Sequence, residues 1–165
     1  MTQAKQGSKQ THGLDAIALL KEDHTRVKNL FEQFEAMSGG DEEAAAKDGL
    51  VKRICAELMR HAQVEEEVFY PAVRKAIDDD KMMDEAEVEH ASAEDLIIQL
   101  ESMEPGDDQY DAKVMVLREM IEHHVAEEEE EMFPKAVKAK VDTAALGEAL
   151  SQRKQALREE MAESA

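Results

Sequence analysis

Apolar positions recur at three- and four-residue spacing through four long stretches of this chain, the period of an α-helix with one buried face. The first stretch gives Ile17, Leu20, His24, Val27, Phe31 and Phe34, and the second gives Val51, Ile54, Leu58, His61, Glu65 and Val68. The third gives Met83, Ala86, His90, Ala93, Ile97 and Leu100, and the fourth Tyr110, Val114, Leu117, Ile121, His124 and Glu128. Helices are predicted from about Leu14 to Met37, Asp41 to Tyr70, Lys81 to Met103 and Asp108 to Phe133. Breakers bound them: Ser38-Gly39-Gly40, Pro71 (with a short continuation to Ile77), Glu104-Pro105-Gly106 and Pro134. Asp41 is the expected N-cap of the second helix, and Asp142 or Thr143 that of a final helix reaching Ala162. Short connections favour antiparallel neighbours, so the expected fold is all-α: an up-down-up-down four-helix bundle over residues 13–141. An additional C-terminal helix follows over 142–165, and residues 1–12 read as a disordered tail.

Each stripe is apolar apart from one polar break, and every break holds a histidine. A bare imidazole or carboxylate in a dry core costs on the order of several kcal/mol unless it is paired or bound to metal. The breaks are also duplicated. Arg60-His61-Ala62-Gln63-Val64-Glu65-Glu66-Glu67 runs into Phe69-Tyr70-Pro71, and His123-His124-Val125-Ala126-Glu127-Glu128-Glu129-Glu130 runs into Met132-Phe133-Pro134. Aligning the prolines superposes His124 on His61 and Glu128 on Glu65. Aligning Phe34-Glu35-Ala36-Met37 with Leu100-Glu101-Ser102-Met103 superposes His24 on His90. Residues four apart share a helix face, about 6 Å apart along the axis. Two equivalent hairpins packed together would therefore gather four histidines and two glutamates at one level, a ligand count natural for two cations.

Composition narrows the class. At 165 residues one domain with a real core is expected. Aromatic content of 4%, no Trp, seven Gly and three Pro, in a background of Ala, Glu, Lys, Leu and Met, read as helical. A formal net charge of −19 argues against nucleic acid and against an anionic membrane surface, and for cations or basic partners. No apolar run approaches the roughly 18–20 residues that span a bilayer. Met1 to Gly13 lacks the apolar core of a secretory signal, and the lone Cys55 cannot form an internal disulfide, so a cytoplasmic location is expected. Cys55 shares an apolar stripe with Val51 and Leu58 and reads as packing; the ten methionines read as core filler rather than copper ligands. His12 carries no role. His123 has Arg60 at its repeat-equivalent place and reads as a surface residue or a support for the ligands. Glu66, Glu67, Glu127, Glu129, Glu130 and Glu131 read as a solvated acidic face, one or two of them orienting imidazoles.

The paired His-x3-Glu, each followed by acidic residues and an aromatic-proline step, resembles the hemerythrin-like family, whose HHE cation-binding domain is a four-helix bundle around a non-haem di-iron centre. The resemblance covers about Leu14 to Lys140. It implies two iron ions, His24 and His61 on one and His90 and His124 on the other, with Glu65 and Glu128 as bridges beside an oxo or hydroxo bridge. The implied ligand is O2 or a related small molecule such as peroxide or nitric oxide, bound for sensing, storage or detoxification. In the oxygen-carrying hemerythrins the third helix presents His-x3-His, whereas here Glu94 stands at that place, either as a further ligand or as a solvated charge. An anionic oxygen in place of an imidazole hardens the site and favours the ferric state, which shifts weight from reversible carriage toward iron retention or turnover.

Other readings compete. A ferritin-like carboxylate oxidase needs Glu-x-x-His on two helices; Glu87-Val88-Glu89-His90 supplies one, while Lys21 and Ile121 stand at the matching offset from His24 and His124. Iron storage, a peroxidase-like enzyme, or a regulatory bundle stapled by metal are further alternatives. The long apolar layers make a staple less needed, and structural zinc favours thiolates that this pattern lacks. The chain is compatible with a monomer or a dimer.

Overall fold

The computed structural model describes residues 15–37 and 43–163, and among them the regular structure is helical, without a strand. The expected tail, the Gly39-Gly40 stop and the Asp41 cap lie outside the described residues. In chain order the helices are α1 (Ala16–Ala36), α2 (Ala44–Val64), α3 (Tyr70–Ala76), α4 (Asp80–Glu101), α5 (Tyr110–Glu127), α6 (Phe133–Lys138) and α7 (Thr143–Glu163). Aspartates begin three of them. Asp15 accepts from the Ala18 N–H at 2.9 Å, Asp79 from Met82 at 3.2 Å and Asp142 from Ala145 at 3.1 Å. The third long helix thus starts at Asp80, just ahead of the predicted Lys81. The fourth starts at Tyr110, two residues after the predicted Asp108, because Gln109 takes a left-handed φ of 69°.

Each proline break is subtler than a kink. Glu65–Phe69 and Glu128–Met132 are π-helical turns that join α2 to α3 and α5 to α6. Pro71 and Pro134 lack an N–H, and their rings crowd the carbonyl one turn back, so the helix widens by one residue before each. The Tyr70 N–H then bonds to the Glu65 carbonyl and the Phe133 N–H to that of Glu128. The widening also shifts the buried face. Val68, expected inward from an unbroken period, is only half-buried, while Phe69 and Tyr70 are buried.

In each of the four helices that carry a histidine stripe, the polar break lies between residues of two apolar clusters. Val27, Phe31, Leu58, Ile97 and Leu117 belong to one, and Leu20, Phe69, Met83, Phe133 and Leu150 to the other. α1 packs on α2, α4 on α5 and α2 on α4, while α7 lies against α1, α2 and the Glu65–Phe69 turn. Cys55 belongs to the first cluster, and burial pushes its thiol up to about 12, so it stays an uncharged packing group. Among the described residues no helix is long and apolar enough to cross a membrane.

Candidate metal centre

The four stripe histidines and the two repeat-matched glutamates all reach the layer between the clusters, and all six are buried. His24 Nε2 lies 3.2 Å from His61 Nε2, and His90 Nε2 lies 3.1 Å from His124 Nε2. Each carboxylate touches one imidazole from each pair. Glu65 Oε1 is 2.7 Å from His61 Nε2 and 3.6 Å from His90 Nε2. Glu128 Oε1 is 3.0 Å from His124 Nε2 and 3.5 Å from His24 Nε2. The ligand atoms form two groups close enough to hold cations, His24 with His61 and Glu128, and Glu65 with His90 and His124. The π turns set this up, because each one begins at the glutamate in question.

The outer nitrogens are spoken for. His61 Nδ1 donates to Asp23 at 2.9 Å, His124 Nδ1 to Glu89 at 3.2 Å, His24 Nδ1 to Glu129 at 3.2 Å and His90 Nδ1 to Glu66 at 3.1 Å. Such bonds fix the tautomer that leaves each Nε2 lone pair facing the centre and make the ring more basic, as metal-binding histidines require. These partners obey the same duplication, since Asp23 precedes His24 as Glu89 precedes His90, and Glu66 follows Glu65 as Glu129 follows Glu128. Asp23 is the buried member, and it is held in turn by Arg26 and by Lys154 of α7.

The donor set fits a cation on the evidence of its own unmet oxygens. Both oxygens of Glu65 and Oε1 of Glu128 are buried without a properly directed hydrogen bond, despite the nearby imidazoles. Protonation shows the same hunger for positive charge. Burial alone would hold His61 neutral, yet the Glu65 charge and the bonds to Asp23 and Glu65 raise it to about 10. Burial is likewise outweighed at His124, which Glu128 and Glu89 raise to about 11, and at His90, which Glu65 raises. Burial would raise Glu65, but His61 brings it well below the usual carboxylate range. The buried carboxylates thus favour positive charge at the places where cations would bind.

Tyr70 was not anticipated at the site. Its hydroxyl donates to Glu128 Oε2 at 3.2 Å and lies 3.1 Å from His90 Nε2 and 3.2 Å from His124 Nε2. Burial and the two glutamate charges raise it well above the ordinary phenol value, so it is a neutral hydroxyl. At its repeat-equivalent place Phe133 stacks on His24 with centroids 6.0 Å apart. The clue in the sequence was the unequal aromatic-proline step. Asp23 and Lys154 also went unread, the first hidden beside a more conspicuous histidine and the second far away in the chain.

A cavity of about 310 Å³ opens onto the four histidines, its apolar wall made by Val27, Leu58, Ala93, Ile97 and Ile121. Glu94, one turn after His90, lines it too, but is exposed and stands outside both ligand groups. His123 is exposed, one residue off the inward face.

An all-helical bundle with duplicated, buried histidine–carboxylate groups defines a cation-binding protein. The sequence matches the family described as Hemerythrin HHE cation binding domain over residues 15–136, and the chain belongs to that family. Among solved structures it is similar to a hemerythrin HHE cation binding domain-containing protein from Mycobacterium kansasii. That likeness has 25% identity and a TM-score of 0.74, and covers 89% of this chain and 89% of that one. No curated protein matches the sequence significantly. α7 begins beyond the matched residues.

Proposed function

We propose that this chain is a non-haem di-iron protein of hemerythrin type that binds O2, or a related small molecule such as peroxide or nitric oxide, for sensing, storage or detoxification. His24 and His61 hold one iron, His90 and His124 the other, and the carboxylates of Glu65 and Glu128 bridge the pair, beside an oxo or hydroxo bridge. The observation that carries this reading is that each buried carboxylate contacts one histidine of both pairs through oxygens that lack a directed hydrogen bond. A di-iron pair supplies redox-active positions open to a small ligand. The protein holds the imidazoles in one tautomer and opens beside them a cavity with one apolar wall, with room for a small ligand. The reading carries with it an antiparallel up-down-up-down order for the four long helices, with α7 as an addition, and a cytoplasmic setting.

The test is elemental analysis and an absorption spectrum of protein purified without added metal. Two irons per chain with the near-ultraviolet bands of a bridged ferric pair are expected. Zinc, manganese or a single ion per chain would overturn the di-iron assignment. One observation favours a second reading, a peroxidase-like enzyme. The Tyr70 hydroxyl stands within hydrogen-bond reach of His90, His124 and Glu128, where it can deliver a proton to a small molecule at the centre. Catalytic consumption of hydrogen peroxide would distinguish this from simple binding.

A further inference from the structure

We propose a second, surface site for one divalent transition-metal cation, formed by His123 and Glu127 of α5 and Glu89 of α4. It is separate from the buried centre and goes beyond the function proposed for that centre. His123 and Glu127 repeat the His-x3-Glu spacing one residue earlier, which turns the pair about 100° around the helix, out of the core and toward solvent. His123 Nε2 lies 3.1 Å from Glu127 Oε1 and 3.8 Å from Glu89 Oε2. The three ligand atoms sit within 4.8 Å of one another. Bonds of about 2.0–2.2 Å to a single ion place its ligands roughly 3–4.4 Å apart, so little movement is required. One imidazole and two carboxylates suit Zn2+, Fe2+ or Mn2+, and the open side leaves positions for water, hence an exchangeable ion.

The other half of the repeat supplies an independent argument. There Asp23, the counterpart of Glu89, is met by Arg26 and by Lys154 of α7, and Arg60 stands where His123 stands here. In the second half Ser92 takes the place of Arg26 and His123 that of Arg60. α7 packs on α1 and α2. Asp23 thus has two basic partners, Arg26 and Lys154, where the ion pairs at Glu89 among the described residues are with His123 and His124. Asp84, Glu85 and Lys81 line the same hollow, which is acidic on balance. A divalent ion fills the role that the ammonium and guanidinium groups fill opposite.

Glu89 also ties the surface site to the interior. Its Oε1 accepts from His124 Nδ1 while its Oε2 faces His123. An ion on the surface therefore draws on the same carboxylate that fixes the inward imidazole.

The experiment is a calorimetric titration of Zn2+ into the protein as purified, with its buried metal in place, compared with His123→Ala and Glu127→Gln. The expected result is one Zn2+ equivalent per chain that binds the unaltered protein and binds each variant weaker by about tenfold or more. Elemental analysis should show the buried metal unchanged throughout. Failure of the unaltered chain to take up Zn2+ would overturn the proposal, as would His123→Ala binding Zn2+ with unaltered affinity. The difference between the chains counts the surface site whatever ion the buried centre holds, so this result stands apart from the di-iron assignment.

Discussion

Tyr70 and Phe133 occupy the same step of the two halves, each directly before a proline, yet only Tyr70 brings a hydroxyl to the centre, 3.2 Å from Glu128 Oε2. Tyr70→Phe restores the symmetry of the repeat. Both metals should remain, since neither histidine pair nor either carboxylate is removed, and the lost bond should cost about 1 kcal/mol. The absorption spectrum and the rate of reaction with peroxide should change. Unaltered values of both would show that the hydroxyl is a bystander.

Glu65 and Glu128 each serve both histidine pairs. Glu65→Ala or Glu128→Ala should therefore deplete both ions rather than one. Elemental analysis decides this: retention of the full complement by either variant would rule out a bridging role.

Asp23 is buried, whereas Glu129 is half-buried. Asp23→Asn should weaken metal binding by about 10- to 100-fold, because an amide is a poorer acceptor than a carboxylate for the His61 Nδ1–H. Glu129→Gln at His24 should weaken it less, since water can replace the lost charge. Lys154→Met should fall between the unaltered chain and Asp23→Asn, because Arg26 still meets Asp23. Competition with a chelator ranks the three variants, and equal effects would remove the link from α7 to the centre.

Without metal, burial is outweighed by the neighbouring carboxylates, which push His61 up to about 10 and His124 up to about 11, above the roughly 6.5 of an unfolded histidine. A group raised on folding contributes stability that is complete below the unfolded value and lost as pH rises through the folded one. The metal-free protein should therefore unfold at lower urea at pH 10 than at pH 7. Metal binding has the opposite trend. Protons compete for the same nitrogens, so uptake should release protons and affinity should fall on acidification. Affinity independent of pH would mean the imidazoles are not the ligands.

Glu94 is exposed at the cavity. Glu94→Ala should leave the metal count unchanged and alter only access or ligand lifetime. Loss of an ion would make Glu94 a ligand.

The helices and the six polar positions on their stripes were legible in the chain because period and duplication are local properties. His24, His61, Glu65, His90, His124 and Glu128 each sit where a 3.6-residue period points inward, and a polar group at such a place needs a partner. Two proline steps advertised a disturbance, although not its form. A π turn arises from backbone sterics that do not show in hydropathy, so the exchange of Val68 for Phe69 and Tyr70 on the buried face was invisible.

Sequence alone determined the class of fold, the duplicated hairpins and the chemistry of the inward groups, since each depends on residue type at fixed spacing. Only the tertiary structure decided which carboxylate stands behind which imidazole. Asp23 meets a lysine 131 positions further along, and Glu94 is left at the rim. Contacts of that kind depend on how helices are rotated against one another, and that rotation is set by the packing of the whole core rather than by any one segment.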